Sequence, residues 1–122
     1  MSEQNGSEGR RYKRWDIFEY ALIHREGEQH SEPAIIVDLS LGGLQVRSRT
    51  PYPAGDMCLV SIAEDDDTSI STHAEVRYSY VLPDSDLYAT GFRFMPGSVE
   101  QRVALVNYIH TRFQEGMDSL VG

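Results

Sequence analysis

The sequence predicts an all-β domain, a six-stranded antiparallel β-barrel capped by one amphipathic C-terminal α-helix. Two observations carry this prediction. Short apolar segments, each bounded by glycine, proline or acidic turns, recur from about residue 16 to about residue 95. From residue 98 the apolar spacing changes from period two to the three-and-four spacing of a helix. The 122 residues are enough for one domain with its own core.

The N-terminal region divides into a tail and a basic arm. Residues 1–9 (MSEQNGSEG) hold one apolar residue and two glycines, so we expect a flexible tail. Residues 10–15 form the arm, in which four cations occupy five positions: Arg10, Arg11, Lys13 and Arg14. The domain is therefore expected to span residues 10–122, with Trp15 packing where the arm meets the barrel.

The first three predicted strands follow from their apolar patterns. Residues 18–24 alternate apolar and polar positions, and residues 25–28 form a polar turn. Residues 34–38 (AIIVD) are an apolar, β-branched run that ends in an aspartate. After the glycines at positions 42–43, residues 44–47 alternate again. This sequence of patterns indicates three short strands joined by turns.

Three further strands complete the predicted barrel. Prolines and a glycine precede the apolar segment 57–63, and the acidic loop 64–67 follows it. Residues 71–81 alternate as far as the turn at 82–86, and residues 88–94 form the last strand. In the fifth strand the alternation predicts that Ala74, Val76 and Tyr78 share one face.

A helix is predicted over about residues 98–115. Ser98 and Gln101 have the spacing of a capping box, in which each side chain reaches the other residue's backbone N–H. Gly116 is the expected stop. The apolar residues at helical spacing are Val99, Val103, Val106, Ile109 or His110, and Phe113. We expect this face to pack on the barrel.

Charge and composition exclude several classes of function. The net charge of −8 opposes general nucleic-acid binding, which requires a basic face. The single cysteine, Cys58, excludes a disulfide framework and a multi-cysteine zinc site, and the four histidines lack metal-ligand spacing. Neither a nucleophile elbow nor a Walker loop is present. We therefore expect no enzyme, no metal and no cofactor, and a cytoplasmic protein without membrane insertion.

Two clusters carry the possible chemistry. In the basic arm, guanidinium groups match phosphate oxygens and the O6/N7 edge of guanine, although a solvated basic turn explains such a run equally well. In residues 38–43 (DLSLGG), Asp38 offers an acceptor for a base N–H, and Ser40 a small donor and acceptor. Gly43 gives room for a ligand or another backbone. Alone, this string is more simply a strand end with a serine turn.

Together the two clusters resemble the PilZ domain family, which has an Arg-x-x-x-Arg turn before the first strand and Asp-x-Ser-x-x-Gly at the end of the next. The matching residues are Arg10, Arg11 and Arg14, then Asp38, Ser40 and Gly43. Residues 74–78 (AEVRY) and 90–94 (TGFRF) look like the family's later strands. The terminal helix also fits, so the resemblance covers nearly all of the chain after residue 9.

The resemblance implies a receptor for the bacterial second messenger cyclic di-GMP that signals by conformational change to an effector protein, which the sequence does not identify. By position, the three arginines of the arm would hold phosphates and guanine edges. Asp38 and Ser40 would contact a guanine or its linked phosphate, and Gly43 would allow close approach. Four cations on an acidic body would also capture a dianion while repelling long nucleic acids.

Tyr78 is a further candidate for the binding site, either as a ring that stacks on a base or, alternatively, as a cross-strand packing residue.

Two other functions of the protein stay open. One is a protein-interaction adaptor of pilus or motility machinery that needs no ligand. The other is a small barrel that binds single-stranded nucleic acid through Tyr78 and Tyr80, which the net charge opposes.

Overall fold

Six antiparallel strands and one helix make up the fold. The structure is a computed structural model that describes residues 19–63 and 69–121, with the helix side chains described as far as residue 112. In chain order the elements are β1 (Glu19–Arg25), β2 (Glu32–Leu39), β3 (Gly43–Ser48), β4 (Met57–Ala63), β5 (Ser69–Val81), β6 (Tyr88–Phe94) and α1 (Val99–Val121). The predicted all-β class with a C-terminal helix is confirmed.

The strands close into a barrel in the order β1-β2-β3-β6-β5-β4. Ala21 pairs with Ala34 of β2 and with Ile62 of β4, so β1 completes the ring. Every neighbouring pair is antiparallel: four of the pairs join consecutive strands, as short turns allow, and the other two, β3–β6 and β1–β4, join strands distant in the chain. Closure leaves none of these strands with an unpaired edge, so the ligand-accessible surface is the outer face and the two ends.

Alternate residues of the strands fill the barrel. The most deeply buried side chains from the strands include Ile23, Val46, Cys58, Val60, Ile62 and Val76. Cys58 is 0% exposed, as its apolar strand predicts, and burial raises the pKa of its thiol to about 11. A thiol that resists ionisation is a packing group, in contrast to the depressed pKa of a reactive cysteine.

The face of α1 that packs on the barrel differs from the prediction. Among the described helix side chains, Leu105, Tyr108 and Ile109 are the buried ones, each at most 5% exposed. Ile109 belongs to the predicted packing face, but three other members of that face, Val99, Val103 and Val106, are 72%, 51% and 37% exposed. Both stripes have helical spacing, so periodicity alone does not choose between them. The larger apolar area of Leu105, Tyr108 and Ile109 favours their burial.

The start of α1 is fixed by Gln101. The Ser98 hydroxyl accepts a hydrogen bond from Gln101 N at 3.1 Å, which is one half of the predicted capping box. The other half is wrong, because Gln101 Oε1 accepts from Gly97 N at 2.8 Å and from His73 N at 3.1 Å. His73 Nδ1 also lies 3.1 Å from this oxygen. Gln101 therefore joins the helix to β5 instead of closing on its own cap.

The end of α1 also differs from the prediction. The helix passes Gly116, the expected stop, and continues to residue 121. A glycine ends a helix when it takes a positive φ, and the described glycines that do so are Gly27 and Gly55, both in turns. Inside a helix a glycine costs about 1 kcal/mol relative to alanine without breaking the helix.

Across the described residues, no helix has the length and apolar character needed to cross a membrane.

Glu19 links the beginning of β1 to the middle of α1. Its carboxylate accepts a hydrogen bond from the Tyr108 hydroxyl and forms an ion pair with Arg112. Glu19 and Arg112 are each 18% exposed. The Arg112 guanidinium also lies 5.3 Å from the centre of the Tyr108 ring. The strand that follows the basic arm is thus fastened to the terminal helix.

Candidate functional site

Three rows of residues cross the outer face of β3, β6 and β5. The first row consists of Gly43, Arg93 and Glu75, the second of Gln45, Gly91 and Tyr78, and the third of Arg47, Ala89 and Tyr80. The middle strand carries only small residues in the second and third rows. Aromatic side chains from β5 therefore have room to lie across β6.

Two bulges turn side chains towards this face. The pairing of β2 with β3 shifts between Ile36 and Asp38, and the pairing of β5 with β6 shifts between Val76 and Tyr78. An extra residue reverses the alternation, so Asp38 and Tyr78 lie outside although Ile36 and Val76, two positions earlier, are buried. The prediction that Tyr78 shares a face with Ala74 and Val76 is wrong for this reason.

The ring of Tyr78 covers Gly91. A Cβ atom at Gly91 would lie 2.3 Å from the Tyr78 ring, so only glycine admits this position. Gln45 Nε2 donates a hydrogen bond to the Tyr78 hydroxyl at 2.7 Å. The Tyr78 and Tyr80 rings stack with centres 5.8 Å and planes 24° apart. Tyr78 is thus a cross-strand packing residue that still exposes 41% of its surface.

Ser40 orders the turn between β2 and β3. Its backbone N donates to Gly43 O at 2.9 Å. Its hydroxyl lies 3.3 Å from Gly42 N and from Gly43 N and accepts from both. This is the serine turn that the sequence alone suggested. Ser40 remains exposed at the surface of the site.

The glycine at position 43 is required by the barrel itself. A Cβ there would lie 2.0 Å from the carbonyl oxygen of Phe92, a backbone atom that cannot rotate away. The neighbouring Gly42 O accepts a hydrogen bond from Phe94 N at 2.9 Å, which holds β6 against the turn. The close approach seen at Gly43 is therefore that of another backbone. Its approach to a ligand stays a prediction.

A cleft of about 250 Å³ lies where the turn meets the first two rows. Four predicted residues line it: Asp38, Ser40, Gly43 and Tyr78. Gln45, Gly91, Arg77 and Arg93 line it as well. The structure thus brings together every predicted site residue that lies in the described part of the chain.

The cleft is electrostatically polarised. On one side Asp38 is exposed, and within the described residues no hydrogen bond or ion pair reaches its carboxylate. On the other side two arginines share one carboxylate oxygen. Arg93 Nη2 lies 3.1 Å and Arg77 Nη1 4.0 Å from Glu75 Oε1. The cleft therefore offers an acceptor at one end and guanidinium donors at the other.

Arg10, Arg11 and Arg14 lie outside the described residues, as does Trp15. The contacts predicted for the basic arm accordingly stay predictions. The described chain begins at Glu19, five positions after Arg14.

Several cleft residues were not predicted as site residues, among them Gln45, Arg77, Gly91 and Arg93. Gly91 had a usable signal, because an isolated glycine within a strand indicates close approach of another group. Gln45, Arg77 and Arg93 gave no such signal, since a polar residue at alternate strand positions is typical of any solvated face.

The described residues show no cluster typical of a metal centre. No group of three or more histidine, cysteine, aspartate or glutamate side chains among them could hold a metal ion.

The buried Tyr52 has a raised pKa, caused first by desolvation and then by Glu32, to which its hydroxyl donates at 3.3 Å. That environment suits a packing role inside the barrel.

The sequence model of the family described as "PilZ domain" matches residues 8–111 of the chain. No curated protein sequence matches it. Among solved structures, the Bacillus subtilis inhibitor of motility (MotI/DgrA) is similar, with 21% identity and a TM-score of 0.61, covering 84% of this chain and 50% of that one.

Two other solved structures are also similar. The PilZ domain of YcgR from Escherichia coli with c-di-GMP has 16% identity and a TM-score of 0.60, covering 92% of this chain and 98% of that one. K. pneumonia MrkH has 14% identity and a TM-score of 0.68, covering 93% and 52%. The chain thus spans about half the length of MotI/DgrA and of MrkH. At these identities the likenesses show a shared fold.

Proposed function

The chain belongs to the PilZ domain family, and on that premise we propose that it is a bacterial receptor for cyclic di-GMP. In this proposal the ligand is bound by the basic arm and by the Asp38-x-Ser40-x-x-Gly43 motif. The arm residues concerned are Arg10, Arg11 and Arg14. Binding changes the position of the arm, and a partner protein detects the change.

The observation that carries the proposal is the polarised cleft on the outer face of the barrel. The bulges at β2 and β5 turn Asp38 and Tyr78 to the same surface as Ser40 and Gly43. Bulges that re-aim side chains are typical of binding sites. The similar PilZ domain of YcgR was solved with c-di-GMP, which supports a ligand of this class.

The chemistry of the cleft suits a guanine nucleotide. The Asp38 carboxylate accepts hydrogen bonds from the N–H groups of a guanine edge. The exposed ring of Tyr78 offers a stacking surface for the base, an interaction of about 1–3 kcal/mol. The arm arginines would supply fork-shaped donors for the phosphates.

The relay to a partner is supported by the position of Glu19. This residue lies four positions after Trp15, the last residue of the arm, and bonds to Tyr108 and Arg112 of α1. Ordering of the arm on the ligand therefore acts on a strand that is fastened to the helix. The exposed valines at 99, 103 and 106 give α1 an apolar outer face.

We further propose that the protein is not an enzyme, needs no cofactor, and acts in the cytoplasm without binding DNA or RNA. The second candidate function is a protein-interaction adaptor without essential ligand binding. Two observations favour it: the apolar outer face of α1 and the similarity to an inhibitor of motility.

The two functions are separated by the thermal midpoint with and without cyclic di-GMP. A receptor is stabilised by its ligand, so ligand at about 100 times its Kd should raise the midpoint by roughly 5–10 °C. Arg10→Ala and Arg14→Ala should keep the unliganded midpoint and lose the rise. An unchanged midpoint with saturating ligand in the intact protein would favour the adaptor.

A further inference from the structure

The barrel itself contributes two cations to the cleft, independent of the arm. Arg93 is in the first row, paired with Gly43 on one side and Glu75 on the other. Arg77 is the extra residue of the β5 bulge, which places it on the same face as Tyr78. The two side chains are 51% and 52% exposed and both line the cleft.

Glu75 is the only acid that pairs with these arginines among the described residues. One of its oxygens, Oε1, faces both guanidinium groups, at 3.1 Å from Arg93 and 4.0 Å from Arg77. Each guanidinium has five N–H donors, so a single shared oxygen leaves most of them available. The three side chains together carry a net charge of +1, although the whole chain has −8.

The fold gains little from this cluster. Ion pairs between partly exposed side chains contribute little to stability, because water and salt screen them. The β5–β6 pairing is already made by the backbone and by the packing of Tyr78 on Gly91. A local positive charge beside a cleft is better explained by an anionic ligand.

We propose that Arg77 and Arg93 bind a phosphodiester group of the nucleotide, and that Glu75 is the internal counter-ion that this phosphate displaces. The inference rests on the proposed function and adds three residues to its site. It also defines how the nucleotide is oriented in the cleft. The guanine edge lies at the Asp38 end of the cleft, and the phosphate at the Arg77 and Arg93 end.

The proposal predicts that removing a positive charge and removing the negative charge change the ligand affinity in opposite directions. Arg93→Gln and Arg77→Gln remove donors and positive charge, so each should weaken cyclic di-GMP binding by about fivefold or more. Glu75→Gln removes the competing carboxylate and should strengthen binding by roughly threefold or more. The salt dependence of binding should become shallower in the arginine variants, because fewer ionic contacts are made.

The test is calorimetric titration of the full chain and its variants with cyclic di-GMP at two salt concentrations. Arg102→Gln and Glu100→Gln are matched controls, because both residues are exposed on α1, away from the cleft. Thermal midpoints close to that of the unchanged protein establish that each variant is folded. The proposal holds if the cleft variants shift affinity in the stated directions and the helix variants do not.

Three results would contradict the proposal in whole or in part. If the unchanged protein binds and Arg77→Gln and Arg93→Gln bind as tightly as Arg102→Gln, the cationic wall is not part of the site, while the proposed function stands. If the unchanged protein does not bind at all, the proposed function and this inference both fail. Weaker binding by Glu75→Gln would contradict the counter-ion role of Glu75 specifically.

Discussion

The ring of Tyr78 occupies the space that any side chain at Gly91 would need. Its Cε2 and Cζ atoms lie 2.3 Å from the position of a Cβ at Gly91. The bulge in β5 sends the ring over this glycine, and the hydrogen bond from Gln45 holds its hydroxyl on the far side of β6. The aromatic surface of the cleft thus depends on a glycine in the neighbouring strand.

Gly91→Ala should lower the free energy of unfolding by about 1–3 kcal/mol, because the ring must leave its position. In the double variant Gly91→Ala/Tyr78→Ala the conflict is absent. The double-mutant cycle, measured by denaturant unfolding, should therefore give a coupling of about 1 kcal/mol or more. Strictly additive losses would contradict the account. Gly43→Ala is the contrasting case, since its conflict is with a backbone oxygen and Tyr78→Ala should not relieve it.

The sequence was sufficient for the fold because β patterns and turns recur at every strand. It was not sufficient for the face on which Tyr78 lies. A bulge adds one residue without leaving a glycine or proline as a signal, and Arg77 is an ordinary strand residue. In α1 two apolar stripes that meet at Ile109 both had helical spacing, and only the packing of Leu105 and Tyr108 beside Ile109 identifies the buried one.

The candidate site was predicted in part for a related reason. Asp38, Ser40 and Gly43 belong to one short segment, so a motif identifies them together. Arg77 and Arg93 reach the cleft from β5 and β6, and their closeness to that segment arises from strand pairing. Pairing between strands distant in sequence is not visible in local patterns.

Gln101→Ala should destabilise the junction between α1 and β5. It removes the oxygen that accepts from Gly97 N and His73 N, and leaving such donors unsatisfied costs about 1–3 kcal/mol. Gln101→Glu keeps an acceptor at this position and should recover most of the loss. Chemical denaturation checks both variants, and equal losses in the two would show that the acceptor is not what matters.

Glu19→Gln should lower the free energy of unfolding by roughly 1.5–3 kcal/mol, the range for a hydrogen bond to a charged group. The pair with Arg112 is well shielded from water, with each side chain 18% exposed. Glu100→Gln is the matched control, since Glu100 is exposed on the first turn of α1. Thermal or denaturant unfolding checks this prediction. If Glu19→Gln loses no more free energy of unfolding than the control, the bonds of Glu19 do not stabilise the contact between β1 and α1.

The free energy of unfolding should fall as the pH rises above the ordinary pKa of a cysteine thiol. Burial raises the pKa of Cys58 from 9.0 to about 11, so the unfolded chain releases this proton first. The stabilisation of the folded state by the buried, protonated Cys58 thiol is complete below pH 9.0, and it is lost as the pH rises through about 11. Denaturant unfolding between these pH values should show a steeper fall for the unchanged protein than for Cys58→Ala. Parallel profiles would contradict the raised pKa.

The receptor assignment is tested most directly by isothermal titration calorimetry of the purified protein with cyclic di-GMP, with GTP and linear diguanylate as controls. The account predicts saturable binding that is selective for the cyclic ligand, with a stoichiometry that separates one bound molecule from a stacked pair. It also predicts that Arg14→Ala and Asp38→Ala abolish or greatly weaken this binding in folded protein. A flat titration of folded, unchanged protein up to high ligand concentration would contradict the account and favour the adaptor.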